Sequence, residues 1–119
     1  MQNINVMLDS LAKSKFRGSF KLNKNMISYV NEKGLDKITK DAYEIVLKRI
    51  AIYNPLKDGK QTPMKQVHPV FIAQHATGTC CRGCLLKIHN VTKERDLNDE
   101  EINFIVMLIM TWIKNQIKN

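Results

Sequence analysis

The sequence has no apolar run long enough to span a bilayer. Its longest, Phe104 to Met110 continuing through Trp112 and Ile113, is about half of the ~20 residues a membrane helix needs. A secretory signal is also missing, because MQNINVMLDSLAKSKF shows no basic segment leading into an apolar one. Cysteine is scarce: there are three, all between Cys80 and Cys84. An odd number packed so closely does not make a disulfide framework. Asn90-Val91-Thr92 matches a glycosylation acceptor, which has no use without a secretory route. Together these absences predict a soluble, cytoplasmic protein in a reducing compartment, with no membrane association. No segment alternates convincingly with period two, and no repeat, low-complexity tract or linker divides the chain.

What is present is ordinary globular composition with an excess of positive charge. At 119 residues the chain fits one domain, residues 1–119, and a domain of this size buries about two-thirds of its unfolded surface. Hydrophobic residues make up 44% and charged residues 25%, so a packed core is expected rather than disorder. The net charge of +8 admits a preference for acidic partners, with nucleic acid a natural candidate and a merely solvated lysine surface the alternative. The cations cluster. Lys13, Lys15, Arg17, Lys21 and Lys24 face only Asp9 at the start, defining a basic N-terminal arm over residues 1–22. Phe16 and Phe20 lie among them and have two uses, stacking on bases or pinning the arm to the core. The second is the preferred reading.

The elements read as helices throughout. Met7, Leu8 and Leu11 have helical spacing. Asn23 suits the cap of a short helix carrying Met26, Ile27 and Val30, which Gly34 ends. A longer helix starts near Asp36, with Ile38, Ala42, Ile45, Val46, Ile50 and Tyr53 as its stripe, and Asn54-Pro55 stops it. Pro55 to Val67 has no periodicity and reads as a long loop, either a plain connector or a cover for the segment after it. His68-Pro69 opens the next helix, and Thr77-Gly78-Thr79 breaks it. Thr79 or Thr77 is expected to cap a helix running through Cys80, Cys84 and Ile88. Asn98 and Glu101 form a capping box for the last helix, residues 99–118. That helix is apolar nearly all round, so it is central to the core or shared with a second subunit as a homodimer. The predicted fold is all-α, a compact single-domain bundle of about five helices with a long loop before the Cys/His segment.

The segment from His68 to His89 holds all three cysteines, all three histidines and Arg82. Zinc prefers such ligands, and Cys81-Arg82-Gly83-Cys84 has the spacing that lets two sulfurs reach one ion. In an uninterrupted helix Cys80 lies ~40° and Cys81 ~60° from Cys84, whereas His89 lies ~140° away. The candidate metal ligands are therefore Cys81 and Cys84 first, then Cys80, His75 and His89. His75 depends on how the Thr-Gly-Thr turn folds back. An alternative is thiol chemistry, redox or nucleophilic, with Cys80 and Cys81 in the first turn of a helix, Arg82 adding positive charge and Cys84 resolving. A cysteine activated by His75 or His68 ranks below it, because no carboxylate lies between Gln61 and Lys93 to orient a histidine nearby. The remaining alternative is an interaction protein whose cysteines are buried core.

Gly59–Met64 (GKQTPM), His68–Leu85 (HPVFIAQHATGTCCRGCL) and the closing helix resemble the uncharacterised bacterial and phage family catalogued as domain of unknown function 4186. The resemblance takes in nearly the whole chain, including Lys15-Phe16-Arg17, Glu32 to Asp36 and Trp112-Ile113. It implies that His68, Gln74, His75, Thr79, Cys80, Cys81, Arg82, Cys84 and His89 occupy positions of a shared motif. It implies no activity. The family pattern commonly has an aromatic residue before the histidine at 89, where this chain has Ile88.

Overall fold

The computed structural model of the protein describes residues 3–52, 61–64 and 66–118, and every regular element among them is helical. Six α-helices follow in order: α1 Ile4–Ala12, α2 Lys24–Lys33, α3 Leu35–Arg49, α4 Pro69–Thr77, α5 Arg82–His89 and α6 Asp99–Ile117. A 3-10 turn, Arg17–Ser19, stands between α1 and α2. The first helix is a full element, and the six helices slightly exceed the approximately five expected.

Local chemistry explains most boundaries. Asn23 accepts from the Met26 N–H at 2.9 Å and starts α2. Asn98 and Glu101 form the reciprocal box that starts α6. Pro69 occupies the first turn of α4, where its missing N–H leaves nothing unsatisfied. The imidazole of His68 caps that helix, its Nδ1 accepting from the Val70 N–H at 3.1 Å. The proton must then sit on Nε2, which donates to Asp41 on α3 at 3.2 Å. Helix α3 ends at Arg49, earlier than the stripe through Tyr53 suggests. Tyr53 and the Asn54-Pro55 stop lie outside the described residues, as does most of the Pro55–Val67 loop.

Helix α6 is the axis of the core, packing against α3 and α4 and also against α1. Ile102, Ile105, Val106, Ile109, Met110 and Ile113 meet Ile38, Ala42 and Val46 of α3 and Val70, Ile72 and Ala73 of α4. At roughly 25 cal/mol per Å² of apolar surface, this burial is the main term holding the helices together. The all-round apolarity of α6 is taken up inside the chain, leaving Met107 as its exposed large apolar side chain. Helices α1 and the 3-10 turn fold back on α4, so residues 4–19 are docked structure, not a free arm.

Candidate metal centre

The site is built by the turn that ends α4. Gly78 takes φ 71°, a left-handed conformation that glycine adopts without strain. A Cβ there would also lie 2.6 Å from Cδ1 of Ile88, so that side chain would have to shift as well. The turn is locked from within. The Thr77 hydroxyl donates to the Ala73 carbonyl at 2.7 Å and lies 3.0 Å from the Thr79 hydroxyl, which is left to act as donor. The Gln74 amide donates to the Thr79 carbonyl at 3.2 Å. Gln74, Thr77 and Thr79 are fully buried. From the other side the Thr62 hydroxyl donates to the Cys80 carbonyl at 2.6 Å, and the Gln61 side chain accepts from the Arg82 N–H at 3.2 Å. Residues 61–63 thus cover the cysteine turn, the described part of the expected covering loop.

Cys80 and Cys81 precede α5 instead of forming its first turn, and neither threonine caps it. The cap is Cys81, whose sulfur accepts from the Cys84 N–H at 3.3 Å. Extended backbone at Cys81 and the helical start at Arg82 swing the three thiols to one point. The Sγ atoms of Cys80, Cys81 and Cys84 all lie within 4.8 Å of one another, with Cys80 and Cys84 at 3.5 Å. Cys80 and Cys81 are buried and Cys84 is half-buried.

The positive charge beside the thiols is Arg17, not Arg82. Arg17 donates from Nη2 to Cys84 Sγ at 3.1 Å and from Nη1 to Cys80 Sγ at 3.5 Å and the His75 carbonyl at 2.7 Å. Gly18 makes this reach possible, because a Cβ there would lie 2.2 Å from the Ala12 carbonyl oxygen. Partial burial opposes the guanidinium's charge, but hydrogen bonds and attraction from Cys80 and Cys84 outweigh it and hold its pKa above the ordinary value. Hydrogen bonding with Cys81 is the main influence that pushes the Cys80 thiol up, reinforced by burial. Arg82 instead turns fully into the core. It donates to the carbonyls of Ile50, Ala51, Thr92 and Arg95, tying the end of α3 to the loop before α6.

The histidines have other partners. His75 Nε2 donates to the Pro63 carbonyl at 2.9 Å, and Phe20 stacks on its ring at 5.3 Å. His89 Nε2 donates to the Thr77 carbonyl at 2.7 Å, with its ring edge-on to Phe104. Neither belongs to the close thiol group, which among the described residues contains the three cysteines alone. Burial lowers both imidazole pKa values despite their carbonyl hydrogen bonds, so both rings are neutral at pH 7. His89 Nδ1 is buried with no hydrogen-bond partner among the described residues. Phe20 acts as the anchor expected of the aromatic pair, while Phe16 stays 51% exposed with Arg17 over its ring. Arg17 is the residue at the thiols that sequence reasoning counted only among the basic cluster; its signals along the chain are the glycine that follows it and the Lys15-Phe16-Arg17 stretch.

An all-helical domain with a three-thiol cluster and a guanidinium against it is the class these features define. The chain belongs to the family described as Domain of unknown function (DUF4186), whose model matches residues 5–114. The matched span includes Arg17, the three cysteines and both histidines of the site. No solved structure matches the chain.

Proposed function

We propose that the protein is a small metal-binding module in which Cys80, Cys81 and Cys84 hold one zinc ion. One observation carries this reading: three sulfurs within 4.8 Å of one another on a turn locked by buried hydrogen bonds. Zinc–thiolate bonds of about 2.3 Å in a tetrahedron put sulfurs ~3.8 Å apart, within reach of this cluster by small side-chain rotations. Three thiolates and a divalent cation leave one negative charge, which the Arg17 guanidinium offsets in a partly buried setting. With both histidine Nε2 atoms on carbonyls, the fourth position falls to water or an added ligand, the arrangement of sites that exchange a ligand.

Elemental analysis of protein purified without added metal tests this. About one equivalent of zinc is expected, falling below a tenth in Cys84→Ser, together with a chelator-induced fall in the melting temperature. Wild-type protein with less than about a tenth of an equivalent of any transition metal, and a stability indifferent to chelators, would falsify the reading.

Nucleic-acid association is a second reading. It is favoured by the exposed Lys13, Lys15, Lys21 and Lys24, which flank the half-exposed Phe16 along the chain. Arg17 leaves this set, because its guanidinium is engaged by the thiols.

A further inference from the structure

We propose that Cys80 and Cys84 form a reversible oxidation site, in which a hydroperoxide oxidises Cys84 and Cys80 closes an intramolecular disulfide onto it.

Three observations select this pair and this order. The two sulfurs are 3.5 Å apart, and a disulfide needs them at about 2.05 Å, a change within reach of side-chain rotation. Cys84 is the accessible member, half-buried, while Cys80 and Cys81 are each 7% exposed. Arg17 donates to Cys84 at 3.1 Å and to Cys80 at 3.5 Å, so a guanidinium stands against the sulfur that meets the peroxide and can hold the oxygen that leaves it. Cys81 is held out of the reaction by its other duty. Its sulfur caps α5 through the Cys84 N–H, and turning it into a disulfide would strip that helix end of its acceptor.

The step balances. The Cys84 thiolate attacks one peroxide oxygen, the O–O bond breaks, and hydroxide leaves to take up a proton. The Cys80 sulfur then attacks the sulfenic sulfur of Cys84. The S–O bond breaks, and the hydroxyl leaves with the Cys80 proton as water. Two thiols are oxidised by two electrons, and one hydrogen peroxide becomes two waters.

In the disulfide both sulfurs are weaker acceptors for Arg17 than the reduced sulfurs they replace. Of its three described acceptors only the His75 carbonyl, at 2.7 Å, survives unchanged. Oxidation therefore loosens one tie between the 3-10 turn and the α4–α5 segment, and with it the docking of α1.

Hydrogen peroxide added to the reduced full-length protein tests the inference. The expected product is a monomer lighter by two hydrogens, restored by dithiothreitol. Trypsin cuts after Arg82, so Cys80 and Cys81 fall on one peptide and Cys84 on the next, Gly83–Lys87. In the alkylated, unreduced digest these peptides should be joined, with fragmentation assigning the bond to Cys80. Cys81→Ser should keep the bond, whereas Cys80→Ser should stop at a sulfenic acid on Cys84 that dimedone traps. Arg17→Ala should slow the reaction about tenfold and Arg17→Lys should recover part of the rate. A bond to Cys81, a disulfide between two chains, or sulfinic acid without loss of two hydrogens would overturn the proposal. The wild-type fragment map decides this even if a variant fails to fold. Metal content is measured separately, so failure here leaves the zinc reading standing, and the reverse also holds.

Discussion

The two arginines of the site exchange the roles that their sequence positions suggest. Arg82 sits between cysteines and looks like the cation that activates them. Because α5 begins at Arg82, its side chain turns inward instead, and its two terminal nitrogens donate to four carbonyls. Arg17 looks like one more surface cation, yet it is the residue that meets the sulfurs, across a sequence gap no local pattern spans. The histidines make a testable point at the same scale. Burial places the His89 pKa below its ordinary value, so the unfolded chain binds the proton more readily than the folded one. The stability this group contributes is therefore fully present above about pH 6.5 and is lost as pH falls through that value toward the folded pKa. His89→Gln keeps a donor for the Thr77 carbonyl but cannot be protonated there. Urea midpoints measured at pH 7.5 and pH 5 should differ less in this variant than in the wild type, and an unchanged difference would count against the assignment. Asp41 acts only at lower pH. Burial alone would raise its pKa, but hydrogen bonds from Lys37 and His68 hold it below the ordinary value. Its contribution, present above the usual carboxylate range, disappears as pH falls through that depressed value.

At the scale of elements, the decisive feature is the break between α4 and α5. A continuous helix would spread the cysteines along one face and point His89 elsewhere. The left-handed Gly78 and the extended Cys81 gather the three sulfurs instead. The Thr-Gly-Thr break was readable from composition, whereas the cap was not, because a thiol in that place looks like any apolar residue. Gly78→Ala separates the two reasons for glycine. The left-handed backbone alone costs about 1–2 kcal/mol for a residue with a Cβ. Contact with Ile88, at 2.6 Å, adds to it. Chemical denaturation should show Gly78→Ala losing more than about 2 kcal/mol. Ile88→Ala in the same chain should return only the contact part, so that the two changes are not additive. Additive losses would show that the contact contributes nothing.

For the molecule as a whole, helix α6 is the central packing element of the chain. Apolar residues around most of its circumference suit either a central helix or a dimer face. Packing on α3, α4 and α1 uses nearly all of them. Among the described residues no helix is long and apolar enough to cross a membrane. The charge of +8 also acts at this scale, since exposed cations from several elements sum into one field. If that field serves nucleic acid, binding should weaken steeply between 50 and 200 mM salt. Lys13→Glu with Lys15→Glu should lower affinity at least about tenfold and flatten the salt slope, while metal content stays unchanged. Affinity insensitive to both lysines in a fluorescence-anisotropy titration would remove the surface from consideration.

The sequence by itself determined the all-helical class, the caps at Asn23, His68 and Asn98, the break at Gly78 and the segment in which the sulfur chemistry lies. These follow from periodicity, capping atoms and a backbone angle that glycine adopts readily, all of which act over a few residues. Only the tertiary structure decided the members of the site. It brought Arg17 to the thiols, turned Arg82 away from them, and committed the Nε2 atoms of His75 and His89 to carbonyls. Those outcomes depend on which buried polar groups must be satisfied once α1, α4 and α6 pack together. No spacing along the chain records that requirement, because each partner is chosen by burial and proximity in the folded core.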